Sequence, residues 1–117
     1  MSSGKAIAQA GHAYLQTMLT ALDADAPHAQ AYARLAPGTK IALDGGDANA
    51  LTRLARKLDA RGIPNSLIID HGHVEPPHFD GSPVMTALGV GPISRADARK
   101  LLSSLPLWGR RRKGGAP

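Results

Sequence analysis

The chain has 117 residues, enough for one domain with a modest core. Apolar residues make up 43% but aromatic ones only 3%, so the core must consist mainly of Ala, Leu, Ile and Val. Cysteine is absent, which excludes disulfides, thiolate metal sites and a cysteine nucleophile. No apolar run reaches the roughly 18 residues that cross a membrane, and the N-terminus lacks signal-peptide features. We therefore expect a cytoplasmic protein without membrane association.

The formal net charge of +5 is concentrated at the C-terminus, where residues 110–113 read Arg-Arg-Arg-Lys. A basic tail of this kind binds a polyanion through counterion release, or it is simply a solvated end. Both roles stay open. We predict one domain over residues 4–107 and a disordered basic tail over residues 108–117.

The first part of the chain predicts two helices and a strand. Over residues 5–22, apolar side chains recur every three or four residues, which predicts a helix with one buried apolar face. The predicted members of that face are Ile7, Gly11, Leu15, Met18, Leu19 and Leu22. A short helix is predicted over residues 28–35, and a strand over residues 40–44 after the turn at 37–39.

The second part alternates helix and strand. A helix is predicted over residues 48–61, between an N-cap at Asp47 and a C-terminal Gly62. Its predicted buried face consists of Leu51, Leu54, Ala55 and Leu58. Strands are predicted over residues 66–70 and 84–90, and a helix capped by Ser94 over residues 95–104. This alternation predicts an α/β fold, a three-layer-like sandwich with a mixed sheet of three to four strands flanked by helices.

Polar residues stand out in two places. Lys5, Gln9 and His12 are spaced by four and three residues, so they lie on one side of the first predicted helix. Asp70 ends an apolar strand, and ligand-binding and catalytic groups in open α/β sheets lie beyond such strand ends. The alternatives are a solvated helix face and a turn-forming aspartate.

The segment after Asp70 contains the residues His71, His73, Glu75 and His78, whose side chains suit zinc. They lack the helical i, i+4 spacing and the cysteine pairs of most zinc sites. We therefore interpret the segment as the rim of a site and predict neither a metal nor a cofactor. A metal-dependent hydrolase is the third-ranked interpretation.

A basic stripe follows the polar side of the helix predicted over residues 48–61. Its members are Arg53, Arg56, Lys57 and Arg61. Such a stripe binds phosphates or is a solvated helix face.

Four segments, in the correct order, resemble the type-two peptidyl-tRNA hydrolases of archaea and eukaryotes. The segment GKAIAQAGHA (4–13) is similar to the family's Gly-Lys-x-x-x-Gln-x-x-His-Ala motif. The segments KIAL (40–43), GIPNSLIIDHG (62–72) and TALGVGP (86–92) resemble its later strands and their flanking turns. The likeness covers about residues 4–107.

The resemblance implies a metal-independent enzyme that hydrolyses the ester between a peptide and the 3′ end of tRNA. Carried over, Asp70 orients or deprotonates the attacking water, and Lys5 stabilises the oxyanion or holds a tRNA phosphate. Thr86 and His12 supply positioning hydrogen bonds. The residues expected to bind the substrate are Gln9, His73, Arg53, Arg56 and Lys57.

Two departures define an alternative. The family has a strand before its Gly-Lys pair, whereas only three residues precede Gly4 here; we expect that first strand to be missing. Residues 71–75 read His-Gly-His-Val-Glu where the family has Ala-Gly-Arg-Thr-Gln. The alternative is a catalytically impaired relative that acts as an RNA- or protein-binding module. Peptidyl-tRNA is the expected partner, with a homodimer among the expected assemblies.

Overall fold

The computed structural model of the protein describes residues 3–35, 38–70, 74–75, 79–80 and 84–109. Its elements are α1 (Ser3–Asp23), α2 (Ala29–Ala33), α3 (Ala48–Ala60), β1 (Asn65–Asp70), β2 (Val74–Glu75), β3 (Phe79–Asp80), β4 (Val84–Val90) and α4 (Arg95–Leu102). The four predicted helices and the strands predicted over 66–70 and 84–90 are thus present. Mixed helix and sheet agree with the predicted α/β class. No helix of the described ranges is both long and apolar enough to cross a membrane.

The main sheet has two strands among the described residues, so the predicted third and fourth strands are not confirmed. Within the described residues, β1 pairs antiparallel with β4 alone, and β2 and β3 form a separate hairpin. The strand predicted over residues 40–44 is wrong. This segment makes only an isolated bridge from Leu43 to Leu107, flanked by hydrogen bonds with residues 106 and 108. It pairs with the chain that follows α4 and not with the sheet, because its backbone hydrogen bonds join Ala42 to Trp108 and Asp44 to Pro106. Its apolar Ile41 is exposed.

A β-bulge in β4 determines which of its residues face α1 and which face α3. The pairing passes from Ile68 with Ala87 to Ile69 with Met85, so Thr86 is an extra residue. In a regular strand Met85 and Gly89 would face the same side of the sheet. Here Met85 contacts α3, whereas the backbone at Gly89 contacts α1. The bulge therefore reverses the alternation and places α1 and α3 on opposite faces of the sheet.

The predicted buried face of α1 is wrong. The buried residues are Gln9, Ala13, Thr17 and Ala21, whereas Ile7, Gly11, Leu15 and Leu19 are exposed and Met18 and Leu22 half-buried. The reason is the close approach of α1 to β4. A side chain at Gly89 would overlap the Thr17 hydroxyl and the Ala13 carbonyl, so only small residues fit between helix and sheet.

The caps and the buried face of α3 agree with the prediction. Asp47 Oδ1 accepts the backbone N–H of Ala50 at 2.8 Å. At the other end Gly62 has a φ of 69°, a conformation that favours glycine. The buried face consists of Leu51, Ala55 and Leu58, with Leu54 half-buried. Ser94 caps α4 as predicted, accepting the backbone N–H of Asp97 at 3.2 Å.

Candidate active site

The centre of the candidate site is a hydrogen bond between α1 and the sheet. The hydroxyl of Thr86 donates to Oε1 of Gln9 at 3.0 Å and lies 3.4 Å from the carbonyl oxygen of Ile68. Gln9 is only 6% exposed. The bulge carries the Thr86 side chain to the α1 side, because a regular strand would alternate it away from Gly89. A buried amide thus has a fixed partner.

The contacts between α1 and β4 show how these two elements are oriented relative to each other. Gln9 bonds to Thr86, and Ala13 and Thr17 lie against Gly89, so α1 and β4 run in the same direction. Because β1 is antiparallel to β4, its last residue lies at the end of the sheet where α1 begins. The backbone of Asp70, paired with that of Val84, is therefore at the end of α1 that carries Lys5.

A groove of about 350 Å³ lies between α1 and β1. From α1 it is lined by Gln9, His12, Leu15, Gln16 and Leu19. From β1 it is lined by Ile68 and Ile69. We call it the edge groove. It begins at the Gln9–Thr86 hydrogen bond and continues along the helix, so it joins the polar end of α1 to an apolar surface.

The structure brings together part of the predicted site. Lys5 is half-buried and His12 exposed, and both lie on the side of α1 that carries Gln9. Thr86 joins them through its hydrogen bond, and Asp70 lies at the same end of the sheet by its backbone position. His73 lies outside the described residues, as do His71 and His78 of the segment that we interpreted as the rim of the site.

The basic stripe is not part of this arrangement. Arg53, Arg56 and Lys57 are exposed on α3, on the opposite face of the sheet from α1. Arg61 lies 3.9 Å from Asp97 at the start of α4, an exposed pair that contributes little to stability. Any contact of this stripe with a substrate must therefore be remote from Gln9 and Thr86.

Other titratable groups do not extend the site. Burial, and to a lesser extent the charge of Tyr32, raises the pKa of Tyr14, which therefore stays a neutral phenol at pH 7. Among the described residues, no group of three or more His, Asp or Glu side chains is arranged to hold a metal ion.

Sequence reasoning missed the bulge and the edge groove. The strand VMTALGV contains one signal, a threonine between apolar residues. Nothing in the local pattern indicates that the register shifts at Thr86. The groove was missed because Leu15 and Leu19 fit an apolar stripe, and such a stripe is usually buried.

We expect Thr86→Val to lower the free energy of unfolding by about 1–3 kcal/mol, because the buried carbonyl of Gln9 loses its donor while the side-chain volume is kept. Thr86→Ser should retain most of the stability. Denaturant unfolding of the three proteins measures both effects. The control is Thr20→Val, which removes an exposed hydroxyl from α1, the helix that carries Gln9. An equal loss in Thr86→Ser and Thr86→Val would contradict the role of the hydrogen bond.

Comparison with known proteins adds independent evidence. Residues 1–108 match the family model described as peptidyl-tRNA hydrolase PTH2. The chain is also 36% identical, over 109 residues, to a peptidyl-tRNA hydrolase of Pyrobaculum aerophilum. That alignment covers 92% of this chain and 88% of the relative. The range matched by the family model includes α1, both strands of the main sheet and α4.

Proposed function

We propose a mechanism for this chain, which belongs to the peptidyl-tRNA hydrolase PTH2 family and is a peptidyl-tRNA hydrolase. In this mechanism the ester between a peptide and the 3′ end of tRNA is hydrolysed where α1 begins and β1 ends. The observation that carries this location is the Gln9–Thr86 hydrogen bond. It ties α1 to β4 at the end of the sheet that also contains Lys5 and the backbone of Asp70.

In the proposed reaction, water attacks the ester carbonyl carbon while the carboxylate of Asp70 takes a proton from it. Lys5 stabilises the negative charge on the carbonyl oxygen of the tetrahedral intermediate. The bond to the 3′ oxygen of the ribose then breaks, and the proton passes from Asp70 to that oxygen. The products are a tRNA with a 3′ hydroxyl and a peptide carboxylic acid, which releases its proton to the solvent and becomes a carboxylate. No metal is needed in this scheme.

The remaining site residues have positioning roles in the proposal. Thr86 holds Gln9 through its hydroxyl, and the Gln9 amide is proposed to bind the substrate near the ester. His12, exposed one turn further along α1, supplies a hydrogen bond to the substrate. His73 is proposed to contact the substrate from the segment after Asp70.

The binding-module alternative is not favoured, because the likeness to a peptidyl-tRNA hydrolase covers 92% of the chain. The family model matches residues 1–108, a range that includes α1 and β4. In this proposal the basic residues bind the tRNA part of the substrate. Arg53, Arg56 and Lys57 are exposed on one helix and can contact phosphates of the tRNA body at a distance from the ester. The basic residues 110–113 are proposed to act in the same way.

Four further proposals concern the setting of the enzyme. The catalytic domain spans residues 4–107 and is followed by a basic tail over residues 108–117. The enzyme acts in the cytoplasm, where peptidyl-tRNA is made. A homodimer is supported by the exposed apolar side chains of Ile41, Leu107 and Trp108, which lie together where residues 41–43 meet 107–108. A third strand contributed by the protein itself is supported by the free edge of β4 within the described residues.

The first experiment is single-turnover hydrolysis of an N-acetyl-aminoacyl-tRNA by the purified chain, with a chelator present. We expect turnover by the parent and a loss of about 100-fold in Lys5→Ala, the effect of removing one oxyanion-stabilising group. Lys100→Ala, which removes an exposed lysine from α4, is the matched control.

The outcomes separate the hypotheses. A folded parent that is inert with and without added Zn²⁺ would remove the proposed function. Activity that the chelator abolishes and Zn²⁺ restores would favour the metal-dependent hydrolase. Equal rates for Lys5→Ala and Lys100→Ala would exclude Lys5 from the reaction.

A further inference from the structure

We propose that the edge groove binds the peptide part of the substrate as an extended chain alongside the free edge of β1. This inference rests on the proposed function and adds to it a subsite with a preference for peptide length and apolar side chains. The occupant is the substrate's own peptide, which thereby forms a third strand of the sheet.

The lining residues show that the groove follows the edge of the strand. Ile68 and Ile69 are consecutive in β1, and consecutive side chains of a strand point to opposite faces of a sheet. Both residues line the groove from β1. No described residue of β4, the strand on the other side of β1, lines it, so the groove lies towards the edge of β1 that faces away from β4. In the described structure that edge carries backbone N–H and C=O groups without a neighbouring strand, and such an edge binds extended peptides.

The chemistry of the groove also suits a peptide. Its helical wall exposes Leu15 and Leu19, which are 62% and 49% exposed. Gln16 adds a carboxamide, which can donate to a peptide C=O and accept from a peptide N–H. Among the described residues, no Lys or Arg lines the groove. A phosphate backbone would find no fixed positive charge here, so the groove fits the peptide end of the substrate better than its RNA end.

Position and length support the same occupant. Gln9 lines one end of the groove and is bonded to Thr86, so the groove opens directly onto the proposed reaction site. From Gln9 to Leu19 the helix rises roughly 15 Å. This length accommodates roughly four residues of extended peptide. The peptide must begin at the ester carbonyl, which the proposed mechanism places at that same end.

The test compares kcat/KM for two substrates, an N-acetyl-leucyl-tRNA and a tRNA that carries an uncharged, leucine-containing tetrapeptide. We expect the parent to prefer the tetrapeptide substrate by about tenfold, the discrimination that a few buried methylene groups provide. In the double variant Leu15→Ser/Leu19→Ser the ratio should fall to about one. The matched control is Leu35→Ser, since Leu35 is also 62% exposed but does not line the groove; it should keep the parental ratio.

A second measurement does not depend on turnover. A stable amide analogue, tetrapeptidyl-3′-amino-adenosine, is titrated into the labelled parent, and backbone amide shifts are followed by NMR. Shifts at Leu15, Ile68 and Ile69 that the double variant loses would support the groove even if the parent is inert, in which case only the proposed hydrolysis fails. Saturation without shifts at these residues would overturn the inference.

Two other results would also overturn it. One is an active parent whose kcat/KM values for the two substrates are about equal. The other is a parent that sediments as a dimer and becomes monomeric in Leu15→Ser/Leu19→Ser, because the groove would then be covered by a second copy. Circular dichroism confirms that all variants are folded.

Discussion

Asp70→Asn is expected to lower the single-turnover rate of peptidyl-tRNA hydrolysis by about a thousandfold, within the range that positioned acid–base groups contribute. Asparagine has nearly the same shape but cannot take a proton from water. Asp70 is the last residue of β1, and the register with β4 places it at the end of the sheet that carries Lys5 and the Gln9–Thr86 hydrogen bond. The measurement is the rate on an N-acetyl-aminoacyl-tRNA at saturating enzyme.

Asp23→Asn is the matched control, because Asp23 is an exposed aspartate at the far end of α1. It should react at the parental rate. Equal thermal unfolding midpoints of the parent and Asp70→Asn would show that the lower rate comes from the reaction and not from unfolding. If Asp70→Asn keeps more than about a tenth of the parental rate, another group must activate the water.

The helices were largely predictable because their signals are local. Asp47 and Gly62 mark the ends of α3, and both have the expected cap geometry in the structure. The residues of its buried face also agree with the pattern. Each of these features depends on side chains within one or two turns, which a single sequence displays directly.

The sheet was less predictable, because pairing is not local. The segment 40–44 has strand-like residues, yet it bonds to the chain after α4 and not to β1 or β4. The orientation of α1 also depends on a distant residue. Only Gly89 allows the helix to approach so closely, and this contact selects the face with Ala13 and Thr17 over the more apolar face with Leu15.

The candidate site was predictable in composition but not in geometry. Lys5, Gln9 and His12 were identified by helical spacing, and Asp70 by its place at a strand end. Thr86 was identified only through resemblance to a family, since its position towards α1 depends on the bulge. The separation of the basic stripe from this site could not be predicted either, because it follows from the packing of α1 and α3 on opposite faces.

Gly89→Ala is expected to destabilise the protein by about 3 kcal/mol, at the upper end of the usual cost of overpacking. A Cβ at this buried position would overlap the Thr17 hydroxyl and the backbone carbonyl of Ala13. The carbonyl belongs to the helix itself, so relief requires a shift of α1 away from β4. That shift would lengthen the Gln9–Thr86 hydrogen bond, and activity should fall together with stability.

Gly11→Ala provides a matched control with the opposite sign. Gly11 is in α1 and a Cβ there meets no atom within 4 Å, so the substitution should stabilise the protein by up to about 1 kcal/mol through helix propensity.

Adding Thr17→Ala to Gly89→Ala should recover part of the lost stability. The Thr17 hydroxyl is buried without a hydrogen-bond partner among the described residues, so its removal costs no hydrogen bond. The clash with the Ala13 carbonyl remains, and full recovery would therefore show that the hydroxyl alone sets the distance between α1 and the sheet.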